Sequence, residues 1–123
     1  MAVAKEADSE AQVKEILSRY TGKKDELIPI LQEIGCPVIF DATHVVRNYG
    51  IPSEDPRGGN PQYVPYLTRA AVAVGCNGLF LETHPKPSQA LCDASSMLPL
   101  KEMECILRQA KTLHDMMRGW GIA

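Results

Sequence analysis

Two ten-residue segments of this chain resemble each other. Residues 35–44 read GCPVIFDATH and residues 75–84 read GCNGLFLETH, so Gly, Cys, Phe, Thr and His recur at an offset of 40 residues, from 44 to 84. One strand, one loop, one helix and a return turn need about that length. The repeat therefore predicts a duplicated strand–helix unit. Because such crossovers are right-handed, the two strands are expected to lie side by side and parallel.

Each copy of the repeat contains a short apolar run, residues 37–41 in the first and residues 79–82 in the second. Neither run alternates between polar and apolar residues, which is typical of strands buried on both faces in a parallel sheet. Each copy ends in Thr-His. Ligands and chemistry lie at the carboxyl ends of such strands in open α/β sheets and in βα barrels. The predicted fold class is therefore α/β, with the two Thr-His pairs at the functional end.

Helix-forming patterns surround these strands. They are an amphipathic stretch that opens at Ser9, a helix over residues 25–34, a helix that begins between Asn60 and Val64 and ends at Gly75, and a last helix from Pro99 to Gly119 with one apolar face. Residues 45–59 and 83–98 are predicted loops. Structureless loops of this length are usually binding loops, lids or disordered segments.

The length of the chain conflicts with a complete barrel. A (β/α)8 barrel needs ~250 residues, and ~200 is the practical minimum. The 123 residues of this chain hold about three strand–helix units. Two parallel strands alone cannot bury both of their faces. Either the chain is part of a larger barrel, or it takes the remainder from a partner.

Composition excludes several other classes of protein. The formal net charge of -2 gives no basic surface for nucleic acid, and the apolar runs are shorter than the ~20 residues of a membrane span. The first residues have no apolar core, so no secretory signal is expected. No CxxC pair occurs among the four cysteines, which predicts free thiols; they are Cys36, Cys76, Cys92 and Cys105. We expect a cytoplasmic protein that binds neither nucleic acid nor membrane.

Four polar residues stand at or after the strand ends: His44, Glu82, His84 and Asp93. Imidazole with two carboxylates is a workable ligand set for Zn, Fe or Mn. Adjacent strands lie ~4.8 Å apart, so side chains from their ends can converge. The alternative is that each His bonds a neighbouring backbone group or carboxylate. Asp41, at the end of the first strand, is either a hydrogen-bond partner or a ligand.

A second group of candidates lies in the loop over residues 45–59. Arg57, Gly58 and Gly59 precede a helix, and such a sequence can form an anion site from helix N–H groups and a guanidinium. Arg47, near the start of the loop, is a further candidate anion contact. The alternatives are a flexible Gly-Gly hinge and a solvated cation.

Four ordered strings carry a family resemblance: PVIFDATH, RGG…VPYLTRAAVAVG, GLFLETHPKP and ALCDASSMLPL. Together they resemble the C-terminal part of the 3-deoxy-D-manno-octulosonate 8-phosphate synthase family, over roughly residues 35–118. The resemblance implies a (β/α)8 barrel of the aldolase type, of which this chain carries the C-terminal units. It also implies an enzyme that joins phosphoenolpyruvate to D-arabinose 5-phosphate and releases phosphate, for lipopolysaccharide biosynthesis in the cytoplasm. Members are homo-oligomers, tetramers in the family.

The resemblance also implies roles for particular residues. His44 of DATH, Glu82 of LETHP and Asp93 of CDASS fall where metal-dependent members hold a divalent ion, and His44 and Asp93 are the implied catalytic residues. The fourth ligand there is a Cys of the first strand, replaced by Asn in metal-independent members, and this sequence has neither. Both substrates are anionic, so the loop residues Arg47, Arg57, Gly58 and Gly59 become candidate substrate-binding residues.

The sequence departs from the family pattern in the same loop. Arg47 stands where the family usually has Gln, and Arg57 stands where it has Ser before the double glycine. The early strands that grip phosphoenolpyruvate are not found in the chain. We therefore divide it into a helical leader over residues 1–34 and a barrel part over residues 35–123, and expect no activity from the chain alone. The alternatives are a non-catalytic partner of a full-length barrel subunit and a related aldoheptulosonate phosphate synthase.

Overall fold

The computed structural model describes residues 27–121. Three helices and four short strands lie in this range. In chain order they are α1 (Leu27–Gln32), β1 (Ile39–Asp41), α2 (Val64–Val74), β2 (Gly78–Phe80), β3 (Thr83–His84), β4 (Leu98–Pro99) and α3 (Leu100–Gly119). The helix expected from Ser9 lies outside the described residues. Within them, no helix is both long enough and apolar enough to cross a membrane.

The two copies of the repeat form neighbouring parallel strands, as predicted. Strand β1 pairs with β2 in the register Ile39 to Gly78, Phe40 to Leu79 and Asp41 to Phe80. The connection between them runs through α2. The predicted strand over residues 37–41 is confirmed at its carboxyl end, and the one over residues 79–82 begins and ends slightly earlier.

The expectation that both strands are buried on both faces is wrong for the described structure. All three residues of β1 are only partly buried, and Phe80 of β2 is 46% exposed. No third strand extends this sheet within residues 27–121. Because a parallel sheet needs cover on both faces, the pair leaves apolar surface open to solvent.

The predicted loop over residues 83–98 contains two further strands. Thr83–His84 pairs in parallel with Leu98–Pro99, and the Thr83 hydroxyl donates to the carbonyl oxygen of Leu98 at 2.9 Å. Two residues are too few to show any periodicity, so the sequence pattern could not reveal this pairing.

The predicted loop over residues 45–59 is also partly ordered. It holds a 3-10 turn at each end, over His44–Val46 and Pro56–Gly58. An isolated antiparallel bridge joins Arg47 to Gly59 and closes the segment into a compact lobe. We call residues 47–59 the clasp loop.

Both long helices end where the sequence predicts. Gly75 follows α2 with a φ of 102°, a left-handed conformation that glycine adopts without a steric penalty. Helix α2 also begins within the predicted range of Asn60 to Val64: a 3-10 turn over Pro61–Tyr63 precedes its first residue, Val64. Helix α3 begins after Pro99 and ends at Gly119.

The core lies between the sheet and the two long helices. Its fully buried cluster contains Ala42, Val46, Val64, Leu98 and Ile106. Residues just beyond β1 thus pack against α2, β4 and α3. This core fixes the end of β1 where the polar residues of the first repeat stand.

The short helix α1 is attached to the turn between α2 and β2. The Gln32 side chain donates to the Gly75 carbonyl oxygen at 2.8 Å and to the Asn77 side-chain oxygen at 3.0 Å. The same Asn77 oxygen accepts from the backbone N–H of buried Val38 at 2.8 Å. The segment between α1 and β1 is therefore held at the amino ends of the strands, opposite the Thr-His pairs.

Candidate metal site

The turn that follows β1 is organised by the carboxylate of Asp41. One oxygen, Oδ1, accepts from the backbone N–H groups of Thr43 at 3.1 Å and His44 at 3.0 Å. The other, Oδ2, lies 2.7 Å from His44 Nδ1. Asp41 therefore fixes both the backbone and the ring of His44. Of the two alternatives for Asp41, the hydrogen-bond partner is the one that the structure shows.

Three of the four polar candidates meet at one point. One ligand atom each of His44, Glu82 and Asp93 can be chosen so that all three lie within 4.8 Å of one another. His44 Nε2 lies 3.3 Å from Glu82 Oε2 and 3.3 Å from Asp93 Oδ2. The spacing argument, that side chains from neighbouring strand ends can converge, is correct for these three residues.

The remaining candidate, His84, is directed elsewhere. Its Nδ1 accepts from the backbone N–H of Lys86 at 2.9 Å. His84 is therefore the histidine for which the plainer alternative, a bond to neighbouring backbone, is correct. The four cysteines are all free thiols, as predicted, and none belongs to the group of His44, Glu82 and Asp93.

The backbone N–H of Glu82 is hydrogen-bonded, whereas one oxygen of its carboxylate is not. Its N–H donates to the hydroxyl of Thr43 at 3.2 Å, and Thr43 is fully buried. Its carboxylate oxygen Oε2 is buried and accepts no hydrogen bond within the described structure; His44 Nε2, 3.3 Å away, can donate to it only when the imidazole is protonated. A buried carboxylate oxygen without a donor is costly, so this atom calls for a cation or a proton.

The sequence argument missed Thr43. This residue links the two strand ends, because its hydroxyl accepts from Glu82 and donates to Asp41 at 3.2 Å. The signal was available in the repeat, since Thr83 in the second copy also bonds the next strand through its hydroxyl. A Thr before each His therefore ties every unit to its neighbour.

Asp93 reaches the cluster from the segment between β3 and β4. Its φ is 49°, and among the described residues it is the single non-glycine residue with positive φ. Its carbonyl oxygen accepts from the backbone N–H of Ser96 at 3.1 Å, which closes a tight turn. Asp tolerates the left-handed conformation better than most residues. The turn aims the carboxylate at His44.

The carboxylates shift the proton equilibria of this cluster. Burial acts to lower the pKa of His44, but Asp41, Asp93 and Glu82 together outweigh it, so the His44 pKa is raised above 6.5. Burial acts to raise the pKa of Asp41, but hydrogen bonds from His44 and Thr43 outweigh it, so the Asp41 pKa lies below 3.8. Positive charge is therefore favoured on or beside the His44 ring.

The predicted substrate-binding residues stand in different environments. Arg57 is 82% exposed in its side chain and pairs with Asp55 at 2.7 Å. Gly58 and Gly59 are buried, and helix α2 begins only at Val64, beyond a 3-10 turn. Arg47 is nearly buried and faces Asp93, with its Nε 3.6 Å from Asp93 Oδ1. Their role in substrate binding stays a prediction.

The donor set fits a divalent metal. A neutral imidazole whose Nδ1–H donates a hydrogen bond to Asp41 has a free lone pair on Nε2. Nε2 is the atom that faces both carboxylates. The buried, unsatisfied oxygen of Glu82 is the second donor and Asp93 is the third. Nitrogen and oxygen donors in this ratio suit Zn, Fe or Mn.

Comparison with known proteins agrees with the motifs. The sequence profile described as the DAHP synthetase I family matches residues 20–118. The chain belongs to this family. The match includes both copies of the repeat, the clasp loop and most of α3.

Relatives within the family are named for the octulosonate enzyme. A 2-dehydro-3-deoxyphosphooctonate aldolase of Azoarcus sp. (strain BH72) is 45% identical over 95 residues, which are 77% of this chain and 34% of the relative. The protein of that name from Caulobacter vibrioides (strain NA1000 / CB15N) is 50% identical over 80 residues, 65% of this chain and 28% of the relative. The chain thus spans about a third of the length of the curated relatives it matches. The predicted family resemblance is confirmed.

Solved structures of the same family share the fold. A phospho-2-dehydro-3-deoxyheptonate aldolase of Thermotoga maritima superposes with a TM-score of 0.59 at 28% identity, over 76% of this chain and 24% of that protein. A truncated 3-deoxy-D-arabino-heptulosonate 7-phosphate synthase of Thermotoga maritima gives the same TM-score and identity over 32% of its chain. Both solved structures therefore share the α/β architecture of this chain over the matched part.

Proposed function

We propose that residues 35–123 supply the metal-binding face of a 3-deoxy-D-manno-octulosonate 8-phosphate synthase built on an aldolase-type (β/α)8 barrel. The complete enzyme joins phosphoenolpyruvate to D-arabinose 5-phosphate and releases phosphate. The place of that reaction is lipopolysaccharide biosynthesis in the cytoplasm, and the assembled enzyme is a homo-oligomer, a tetramer as in the family.

The observation that carries this proposal is the convergence of His44, Glu82 and Asp93, with ligand atoms within 4.8 Å of one another and a buried Glu82 oxygen that accepts no hydrogen bond from neutral His44. The three residues come from two adjacent strand ends and the following turn, the end of a barrel where chemistry is placed. Sequence relatives of the octulosonate name are 45–50% identical, whereas the heptulosonate structures are 28% identical. This difference favours the octulosonate reaction over the heptulosonate one.

The residues of this chain have separate tasks in the proposed site. Asp41 holds the Nδ1 proton of His44, so that Nε2 is oriented as a donor toward Glu82 and Asp93. Glu82 and Asp93 supply the negative charge that balances a divalent ion. When bound, such an ion supplies Lewis-acid chemistry, polarising the aldehyde oxygen of the sugar phosphate or orienting water. His44 and Asp93 are the residues closest to this chemistry.

A second candidate function is that of a partner subunit without activity of its own. The sheet formed by β1 and β2 has two strands within residues 27–121, and Phe80 is 46% exposed. An open parallel sheet is a template for further strands. In this alternative, the chain docks on a full-length barrel subunit through that sheet, and the metal residues are a remnant.

Metal binding tests the first candidate directly. We expect the purified chain to bind Mn²⁺ or Zn²⁺ by isothermal titration, and His44→Ala to abolish the binding because it removes the central donor. The matched control is His84→Ala, which changes the other Thr-His pair and leaves Nε2 of His44 in place. Equal metal affinity in His44→Ala and the unmodified chain would remove the proposed site.

A further inference from the structure

Arg47 is nearly buried, and neither the family motifs nor the proposed metal ligands explain why. Its side chain is 11% exposed, and its guanidinium donates to the backbone carbonyl oxygens of Gly58 and of Ile51, the latter at 3.3 Å. It also donates to the Ser95 hydroxyl at 3.1 Å. A charge this deeply buried is tolerated because these acceptors satisfy it. A solvated loop cation is therefore the wrong description of Arg47.

These contacts connect two segments that are far apart in the chain. Gly58 and Ile51 belong to the clasp loop, while Ser95 follows Asp93 in the turn before β4. The backbone N–H of Ser95 also donates to the Ser53 carbonyl oxygen at 2.8 Å. The clasp loop and the Asp93 turn are thus joined by a side-chain bond and a backbone bond.

The double glycine permits this contact. A Cβ on Gly58 would lie 2.7 Å from Ser95 Oγ and 2.8 Å from Arg47 Nη1. A Cβ on Gly59 would lie 2.5 Å from the Ser95 carbonyl oxygen. The glycines therefore make room for Arg47 and the Asp93 turn. That space is filled by protein atoms, so it is not an open anion cradle.

Arg47 also faces the carboxylate itself. Its Nε lies 3.6 Å from Asp93 Oδ1, while the other oxygen, Oδ2, lies 3.3 Å from His44 Nε2. One oxygen of Asp93 is thereby turned to the guanidinium and the other to the metal-site donors. The two contacts fix the direction of the Asp93 side chain, whose backbone stands in the left-handed region of φ.

We propose that Arg47 is a positioning residue, which locks the Asp93 turn onto the clasp loop and thereby directs the Asp93 carboxylate toward His44. Its consequence for metal affinity rests on the proposed function. The effect of Arg47 on the contact between the clasp loop and the Asp93 turn does not rest on that function. The metal function and the positioning role can therefore fail separately.

The first test measures amide hydrogen exchange in the metal-free chain. We expect Arg47→Met to speed exchange of the Ser95 amide, which bonds Ser53, while amides in the middle of α3 keep their rates. The matched control is Arg108→Met, which replaces an exposed arginine on α3. Unchanged exchange at Ser95 in Arg47→Met would overturn the proposal.

The second test measures the Mn²⁺ affinity of the same variants. We expect Arg47→Met to weaken binding about tenfold, the usual effect of removing a group that orients a ligand, and Arg108→Met to leave it unchanged. In an Asp93→Ala background, Arg47→Met should change affinity by no more than about twofold, because its effect passes through Asp93. A full tenfold loss in that background would overturn the proposal, as would unchanged or tighter binding in the single variant. If the unmodified chain binds no Mn²⁺, the metal function fails, and the exchange result decides the role of Arg47.

Discussion

The two histidines of the repeat differ because of the residue three positions before each. Asp41 precedes His44, and Leu81 stands at the matching place before His84. Asp41 holds Nδ1 of its histidine, whereas Leu81 packs against the core and offers no acceptor. Nδ1 of His84 accepts a backbone N–H instead. One difference between the copies therefore separates a histidine whose Nδ1 is held by a carboxylate from one whose Nδ1 accepts a backbone N–H.

This comparison leads to a prediction about proton binding at His44. We expect Asp41→Asn to lower the His44 pKa, because burial then acts against fewer favourable carboxylate contacts. An NMR titration of the imidazole signals measures it, with the His44 signal assigned by its absence in His44→Ala. Asp115→Asn, on α3, is the matched control and should leave the His44 pKa in place. A His44 pKa that does not fall in Asp41→Asn would contradict the role of Asp41.

The same pair predicts how stability changes with pH. The His44 pKa is raised, so its contribution is complete below 6.5 and is lost as pH rises through the raised value. The Asp41 pKa is lowered, so its contribution is present above 3.8 and is lost as pH falls through the lowered value. Urea unfolding should therefore show a larger deficit for Asp41→Asn at about pH 5.5 than at about pH 9. An equal deficit at both would show that no ion pair is involved.

At the scale of residues, strand pairing made much of the candidate site predictable from the sequence. The parallel pairing of the two strands predicted that His44, Glu82 and Asp93 could converge, and the family motifs selected the same three residues. Arg47 was a candidate anion contact, but its burial and its contacts with the protein were not predicted. Its acceptors are mostly backbone carbonyls, and the position of a carbonyl depends on loop conformation, which residue types alone do not define.

Elements with a helical period or a place in the repeat were predictable, and elements with neither were not. Helices α2 and α3 follow from apolar spacing and terminal glycines, and β1 and β2 follow from the repeat. Strands β3 and β4 have two residues each and no pattern. The apolar face predicted for α3 is only partly used, because Ile106 and Ala110 are buried while Leu100 is 51% exposed. Periodicity shows which face is apolar, but it does not show what covers that face.

The contact between the clasp loop and the Asp93 turn gives a prediction at the scale of elements. Gly59→Ala should destabilise the fold by roughly 1–3 kcal/mol, since its Cβ would meet the backbone of Ser95 in a packed site. The cause is steric, because the φ of Gly59 is −168°, which any residue adopts. Urea unfolding measures the change. Gly119→Ala is the matched control, since its Cβ meets nothing within 4 Å; there we expect a change between zero and about 1 kcal/mol in favour of folding. Similar behaviour of the two variants would contradict close packing at Gly59.

For the molecule as a whole, the number of strand–helix units is the strongest constraint. A repeat of 40 residues in a chain of 123 leaves too few strands to close a barrel. The partly exposed β1 and Phe80 are the physical expression of that shortage. The sequence also resembled one family along most of its length, and the family match over residues 20–118 agrees with it.

The last prediction concerns catalysis by the chain alone. Both proposed substrates carry phosphate, and binding two anions needs several cationic donors. Near the proposed metal site, the guanidinium of Arg47 already donates to Gly58, Ile51 and Ser95, and Arg57, in the same loop, is paired with Asp55. We therefore expect this chain, mixed with Mn²⁺, phosphoenolpyruvate and D-arabinose 5-phosphate, to release no phosphate in a colorimetric assay. The full-length Azoarcus relative is the positive control under the same conditions. The prediction would be wrong if the chain released phosphate and His44→Ala abolished that release. The residues of this chain would then suffice to hold both substrates without the rest of a barrel.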